Sequence, residues 1–236
     1  MPLPIRPNLG AMILPKQKLE KPTLTVELLQ SEAASFAVAE SAHAEPLLFG
    51  VTDGKAVGTY LEHKFRAYLQ TKFDFIVGSS ASGIDFPELG VDMKVTSIKQ
   101  PQSSCPFKSA RQKIHGLGYS LLVFVYDKTD DEKRRKARLN ILHTIFVTKE
   151  RTGDFQTTTG IRRILENAGN KDDLLAFFEE RNLPIDAIEA NTLANELLAQ
   201  PPEIGYLTIS NALQWRLQYG RVIEQAGVVS GILRVQ

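Results

Sequence analysis

Apolar positions recur at helical spacing in two stretches early in the chain. Over residues 25–44, Leu28, Leu29, Ala33, Phe36 and Ala37 predict a helix that ends before Pro46. Asp53-Gly54-Lys55 can start a second helix, whose stripe of Val57, Tyr60, Leu61, Phe65, Tyr68 and Leu69 runs down to Gln70. A short strand is expected over residues 73–77, followed by a flexible link over 78–83. The pattern then changes to period two, with Val91, Met93 and Val95 alternating with Asp92, Lys94 and Thr96. Pro87 pre-sets φ for a turn and Gly90 can adopt positive φ, so residues 82–96 are expected to form a bent β-hairpin with Asp85 on its first strand.

Residues 97–106 read as loop, and 107–116 as a short basic helix carrying Lys108, Arg111, Lys113 and His115. The continuous apolar run of 119–127 suits a central strand covered on both faces, and 139–147 is its natural partner. Three short helices should follow: one running from Thr159-Gly160 through Leu165, then 171–181, stopped by Pro184, and 187–199, stopped by Pro201-Pro202. A strand is expected over 205–209. Ser210-Asn211 can then cap a last helix through Leu213, Trp215, Leu217 and Val222. The expected class is α/β (α+β), a mixed central sheet flanked by helices. One domain is expected over 25–236, with the part that carries the candidate chemistry over about 54–150 and a helical part over about 151–236. Five prolines, at positions 2, 4, 7, 15 and 22, mark residues 1–24 as an extended arm that can lie on a partner subunit.

Composition narrows the function classes. Among 236 residues, 28 basic side chains face 27 acidic ones, so any nucleic-acid surface must be local. The charged run of residues 130–138 reads first as a solvated loop or helix end, with phosphate contact as the alternative. The single cysteine, Cys105, excludes an internal disulfide and a cysteine-rich zinc site. His43, His63, His115 and His143 show no helical metal-ligand spacing. No apolar run is long enough to span a bilayer and no signal-peptide layout opens the chain, so a cytoplasmic protein without membrane contact is expected.

An acidic residue two places before lysine occurs four times: Asp53/Lys55, Glu62/Lys64, Asp92/Lys94 and Asp131/Lys133. Only Asp92/Lys94 lies on an alternating strand, where both side chains share a face, with a further acid, Asp85, across a tight turn. The plain alternative is a solvated cross-strand pair. The chemical one is phosphodiester cleavage, which needs stabilisation of charge at phosphorus and a hydroxide near neutral pH. Asp85 and Asp92 offer hard oxygen ligands for Mg²⁺, with a backbone carbonyl, that of Met93, and waters completing the octahedron. Lys94 can hold or deprotonate the attacking water. Glu62, beside the apolar stripe, is by itself an ordinary boundary residue.

Asp85, Asp92 and Lys94 resemble the signature of the PD-(D/E)xK nucleases, which include most type II restriction endonucleases. Residues 54–62 with 85–94 resemble more narrowly the MutH mismatch-repair nicking endonuclease and its restriction-enzyme relatives. The likeness covers about residues 54–127. Ile84 stands where the signature has proline, and Asp92 where it commonly has glutamate. The resemblance implies a restriction-endonuclease-like fold and adds Glu62 to the site, steadying Lys94 or a second metal through water. It also makes Lys113, in the run Arg111-Gln112-Lys113-Ile114, a candidate contact to the scissile phosphate. The implied function is a Mg²⁺-dependent type II restriction enzyme acting on double-stranded DNA, as a homodimer on a palindrome. The alternatives are a monomeric repair nicking endonuclease and a non-catalytic DNA-binding module on a nuclease scaffold. Base and backbone contacts are assigned by polarity and position to Lys99, Gln100, Gln102, Ser103, Lys108, Arg111, Ser210, Asn211, Gln214 and Arg216.

Overall fold

The computed structural model describes residues 21–78, 83–104, 109–210 and 216–236. Helices α1 (Val26–Ala42) and α2 (Gly54–Lys72) form where the periodicity places them. Thr25 and Asp53 cap them, their side chains accepting the Leu28 and Lys55 N–H groups. The strands are β1 (Val91–Ser97), β2 (Gln102–Ser104), β3 (Ser120–Asp131), β4 (Lys136–Val147), β5 (Thr208–Ser210), β6 (Arg216–Gln218) and β7 (Ile232–Arg234). They build a four-stranded sheet in the order β1-β3-β4-β7 and a three-stranded sheet in the order β2-β6-β5. Only the β1/β3 pair is parallel, so the larger sheet is mixed. Helices α3 (Ala110–His115), α4 (Phe155–Glu166), α5 (Lys171–Glu180), α6 (Ala187–Ala199) and α7 (Gly220–Gln225) complete the chain.

The apolar run of β3 is buried on both sides, as expected of a central strand. Leu122, Phe124 and Tyr126 pack into a core shared with α1 and α2. Leu121, Val123 and Val125 face a second core shared with the small sheet and α7. A third core joins α3 to α4, α5 and α6 through Ile114, Ile161, Leu174, Phe178 and Leu193. The charged run spans the exposed turn between β3 and β4 and the strand ends beside it, and in the turn Asp131 accepts the N–H groups of Lys133 and Arg134. Residues 1–20 of the proline-rich arm lie outside the described residues. Its last residues pack on the domain, with Leu24 buried and Thr23 bridged to Asp74. Among the described residues no helix is long and apolar enough to cross a membrane.

Several expectations are corrected. Residues 73–77 are not a strand, because their backbone groups find other partners. Ile76 N–H donates to Glu88, and Gly78 N–H, just past this stretch, to the Asp85 carbonyl. The hairpin before β1 shrinks to a 3-10 turn over Pro87–Leu89 with one bridge, Phe86 to Val91, and β1 takes its ladder from β3 instead. The helix expected through Leu217 is absent at 216–218, which form β6. Leu213, Trp215, Leu217 and Tyr219 recur at period two, a strand pattern, and Leu217 and Tyr219 are fully buried. Residues 102–104, read as loop, form β2, whose partner β6 lies too far along the chain to leave a local signal. The short strand β7 was likewise not foreseen.

Asp154 ties two of these units together. Its buried carboxylate caps α4 through the Thr157 N–H at 2.8 Å and accepts the Ile209 N–H of β5 at 2.8 Å. Asp154→Ala leaves both donors buried and unpaired, so a loss of about 3 kcal/mol is expected. A urea titration checks this as a lower midpoint with an unchanged slope.

Candidate active site

Helix α2 presents Gly58, Glu62 and Arg66 at four-residue steps, one stripe along the helix. Gly58 is buried against β1, where an added Cβ would stand 3.9 Å from the Val95 carbonyl oxygen. The glycine thus brings α2 close to the edge strand, and the next two turns place Glu62 and Arg66 beside β1. The apolar side of α2, with Val57, Leu61, Phe65 and Leu69, is buried in the core and fixes its rotation.

Asp85 reaches the same place from the loop before β1. Gly90 adopts the left-handed conformation at φ 60° and ends the 3-10 turn, which lets the chain reverse in four residues. Gly78 N–H donates to the Asp85 carbonyl at 2.9 Å, an approach so close that a Cβ on Gly78 would overlap the Ile84 carbonyl. The Asp85 carboxylate accepts the Met93 N–H at 3.0 Å with Oδ2 and Arg66 Nη2 at 2.7 Å with Oδ1. Since Met93 N–H points out of the β1 edge rather than toward β3, the Met93 carbonyl faces that edge too.

The register pairs Asp92 with Leu121 and Lys94 with Val123, so both project from the face covered by the small sheet. The alternation read from the sequence holds. The solvated cross-strand pair does not, because Asp92 is only 3% exposed. Lys94 Nζ stands 2.7 Å from the buried Asp92 Oδ2, an ion pair held largely out of solvent. Burial pushes the Asp92 carboxyl up from 3.8 to about 6, with Asp85 adding to the rise and Lys94 opposing it. Burial also raises Glu62, again with Asp85 adding, while Lys94 and Arg66 lower it. Glu62, Arg66, Asp85, Asp92 and Lys94 therefore sit in one another's electrostatic field. Arg66 was not anticipated from the sequence, although its position one turn beyond Glu62 was a signal.

The other candidates lie elsewhere or in different roles. Lys113 is buried in α3, its carbonyl accepting the Asp154 N–H. Arg111 is engaged by α6, with Glu196 at 2.6 and 2.9 Å and Glu189 at 3.2 Å. Lys99 is exposed, 3.8 Å from Asp127. The carbonyls of Gln100 and Gln102 lie 3.2 and 3.1 Å from the Thr96 hydroxyl, and Ser103 pairs with the Tyr219 hydroxyl at 2.6 Å. Ser210 and Arg216 face each other across β5 and β6, next to Ser104 of β2. The small sheet thus gathers Gln102, Ser103, Ser210 and Arg216. Lys108, Asn211 and Gln214 lie outside the described residues.

A family model of the type II restriction enzyme NspV matches residues 23–234. The chain belongs to this family of type II restriction enzymes. The type II restriction enzyme NspV of a Nostoc species is 70% identical over 212 residues, covering 90% of this chain and 96% of that protein. No solved structure matches the chain significantly. A chain of this family is a site-specific deoxyribonuclease, and the carboxylate and lysine cluster at the edge of β1 lies within the matched region.

Two outcomes follow from this geometry. In metal-free protein the folded Asp92 holds its proton up to about pH 6, whereas the unfolded one releases it near 3.8. The contribution of Asp92 to stability is then fullest below pH 4 and is lost as pH rises through 6, by about 3 kcal/mol at most. Thermal unfolding between pH 4 and 7 in EDTA should show this slope in the wild type and lose it in Asp92→Asn. Gly78→Ala displaces the Asp85 backbone, so cleavage should fall at least about tenfold with DNA binding retained in a gel-shift assay.

Proposed function

We propose that this restriction enzyme hydrolyses both strands of a short palindromic DNA site with Mg²⁺ held by Asp85, Asp92 and the Met93 carbonyl. The reading follows the PD-(D/E)xK and MutH-like resemblance of these residues. The observation that carries it is the buried Asp92 carboxylate, paired with Lys94 at 2.7 Å and lying in the field of Asp85. Neighbouring carboxylates that raise one another's pKa carry more negative charge than one lysine offsets, and a bound cation would relieve it. Among the described residues no three His, Cys, Asp or Glu side chains converge as a metal cage. Mg²⁺ keeps several waters and needs only one or two carboxylates, which Asp85 and Asp92 can supply. When bound, Mg²⁺ supplies Lewis-acid stabilisation of the charge at phosphorus and acidifies a water.

The chain's own residues supply the rest. Lys94 orients the attacking water and offsets phosphate charge, while the adjacent Asp92 carboxylate fixes where its ammonium stands. Glu62, raised by burial and Asp85, steadies Lys94 from α2. Lys113 is the further candidate for contact to the scissile phosphate. Gln102, Ser103, Ser210 and Arg216 of the small sheet, with Lys99 and Gln100 leading into it, are the base and backbone contacts. Lys108 of the basic segment and Asn211 and Gln214 complete that assignment. The described residues hold one such cluster per chain, so cutting both strands calls for two copies, and the enzyme acts as a homodimer in the cytoplasm.

Digestion of unmethylated phage DNA with Mg²⁺ should give discrete fragments with one end sequence, and none with EDTA. Lys94→Ala should lower cleavage by about a hundredfold or more while the duplex is still bound. Discrete cutting in EDTA, or full activity of Lys94→Ala, would overturn the assignment. Accumulation of nicked circle without linear plasmid would point to single-strand nicking.

A further inference from the structure

Arg66 is the one cation of the cluster that neither the motif nor the resemblance includes. Its Nη2 holds Asp85 Oδ1 at 2.7 Å, while the other Asp85 oxygen is taken by the Met93 N–H. Both side chains are largely covered, at 21% and 19% exposure, so the pair is not a loose surface contact. The guanidinium nevertheless keeps a buried donor, Nε, with no acceptor. A guanidinium so placed is incompletely used, and its planar fork suits phosphate oxygens as well as carboxylate.

Charge balance gives the arrangement a direction. The carboxylates of Glu62, Asp85 and Asp92 face the cations Arg66 and Lys94, which leaves one negative charge. A divalent cation entering alone would reverse this to one positive charge and would meet a cation already on Asp85. A phosphodiester arriving with the metal restores neutrality and offers the guanidinium another partner.

We propose that Arg66 is a positioning residue that makes metal entry depend on DNA. Its guanidinium occupies Asp85 Oδ1 in the DNA-free enzyme and shifts to a phosphate oxygen of the bound duplex, which frees that carboxylate oxygen for the divalent cation. This rests on Asp85 and Asp92 being the cation's ligands. The site is held closed to free cation, and the substrate itself releases it.

The test is calorimetric titration of full-length enzyme with Ca²⁺, a hard oxygen-seeking cation. It is run with and without a duplex carrying the site that the digestion maps. In the wild type, the duplex should tighten Ca²⁺ binding by about tenfold or more. In Arg66→Gln, Ca²⁺ should bind about tenfold more tightly than to wild type without DNA, and the duplex should add little. Arg66→Lys, which keeps the charge, should retain most of the coupling. Unchanged or weaker Ca²⁺ affinity in DNA-free Arg66→Gln would overturn the proposal and leave Arg66 a brace for Asp85. Absence of coupling in the wild type would overturn it without any variant, should Arg66→Gln not fold. Absence of Ca²⁺ binding to every form, duplex included, would instead remove the metal assignment on which the proposal stands.

Discussion

The site depends on β1 being an edge strand with one edge left open. On its inner edge β1 is locked parallel to β3, the most buried strand of the sheet. On its outer edge the ladder is replaced by a carboxylate, since Asp85 takes the Met93 N–H that a further strand would have used. An unpaired strand edge is normally a liability that proteins cover or charge. Here the cover is Asp85 with Arg66 behind it, so the requirement to satisfy edge backbone groups also puts a carboxylate beside Asp92. The two faces of β1 then divide the work: Val91 and Met93 anchor it in the helical core, and Asp92 and Lys94 project from the face toward the small sheet.

Much of this was legible in the sequence where the signal is local. The helices over 26–42, 54–72 and 187–199 follow from apolar periodicity and their capping residues. The alternation around Asp92 and Lys94 correctly put both side chains on one face. Asp85 was found through the turn chemistry of Pro87 and Gly90, although the strand imagined before it is a loop.

What was not legible depends on partners distant in the chain. Strand β2 exists because β6, more than a hundred residues later, pairs with it, and no window around Gln102 contains that information. The stretch after Ser210 was read as helix because Ser210-Asn211 can cap one through Leu213, Trp215, Leu217 and Val222, although Leu213, Trp215, Leu217 and Tyr219 recur at a period of two. Arg66 was passed over because an arginine on the polar side of a helix is ordinary until a carboxylate is seen to meet it. Arg111 shows the converse. A basic residue in a basic segment suggested a nucleic-acid contact, yet its guanidinium is bound by Glu189 and Glu196 of a helix far along the chain.

The strand bearing Lys94 runs almost directly into the small sheet. Residues 98–101 alone separate β1 from β2, and the Thr96 hydroxyl closes even that interval by lying within hydrogen-bond distance of the Gln100 and Gln102 carbonyls. With Tyr219 N–H bound to the Pro101 carbonyl and its hydroxyl to Ser103, little slack remains between residue 94 and residue 104. The two strands are thus tied to each other by hydrogen bonds on both sides of the connection. Replacement of residues in β2 therefore cannot be judged on what they contact alone, because a change of backbone there is felt at the lysine ten residues earlier. Variation of this surface is confined to side chains that leave the strand's path intact.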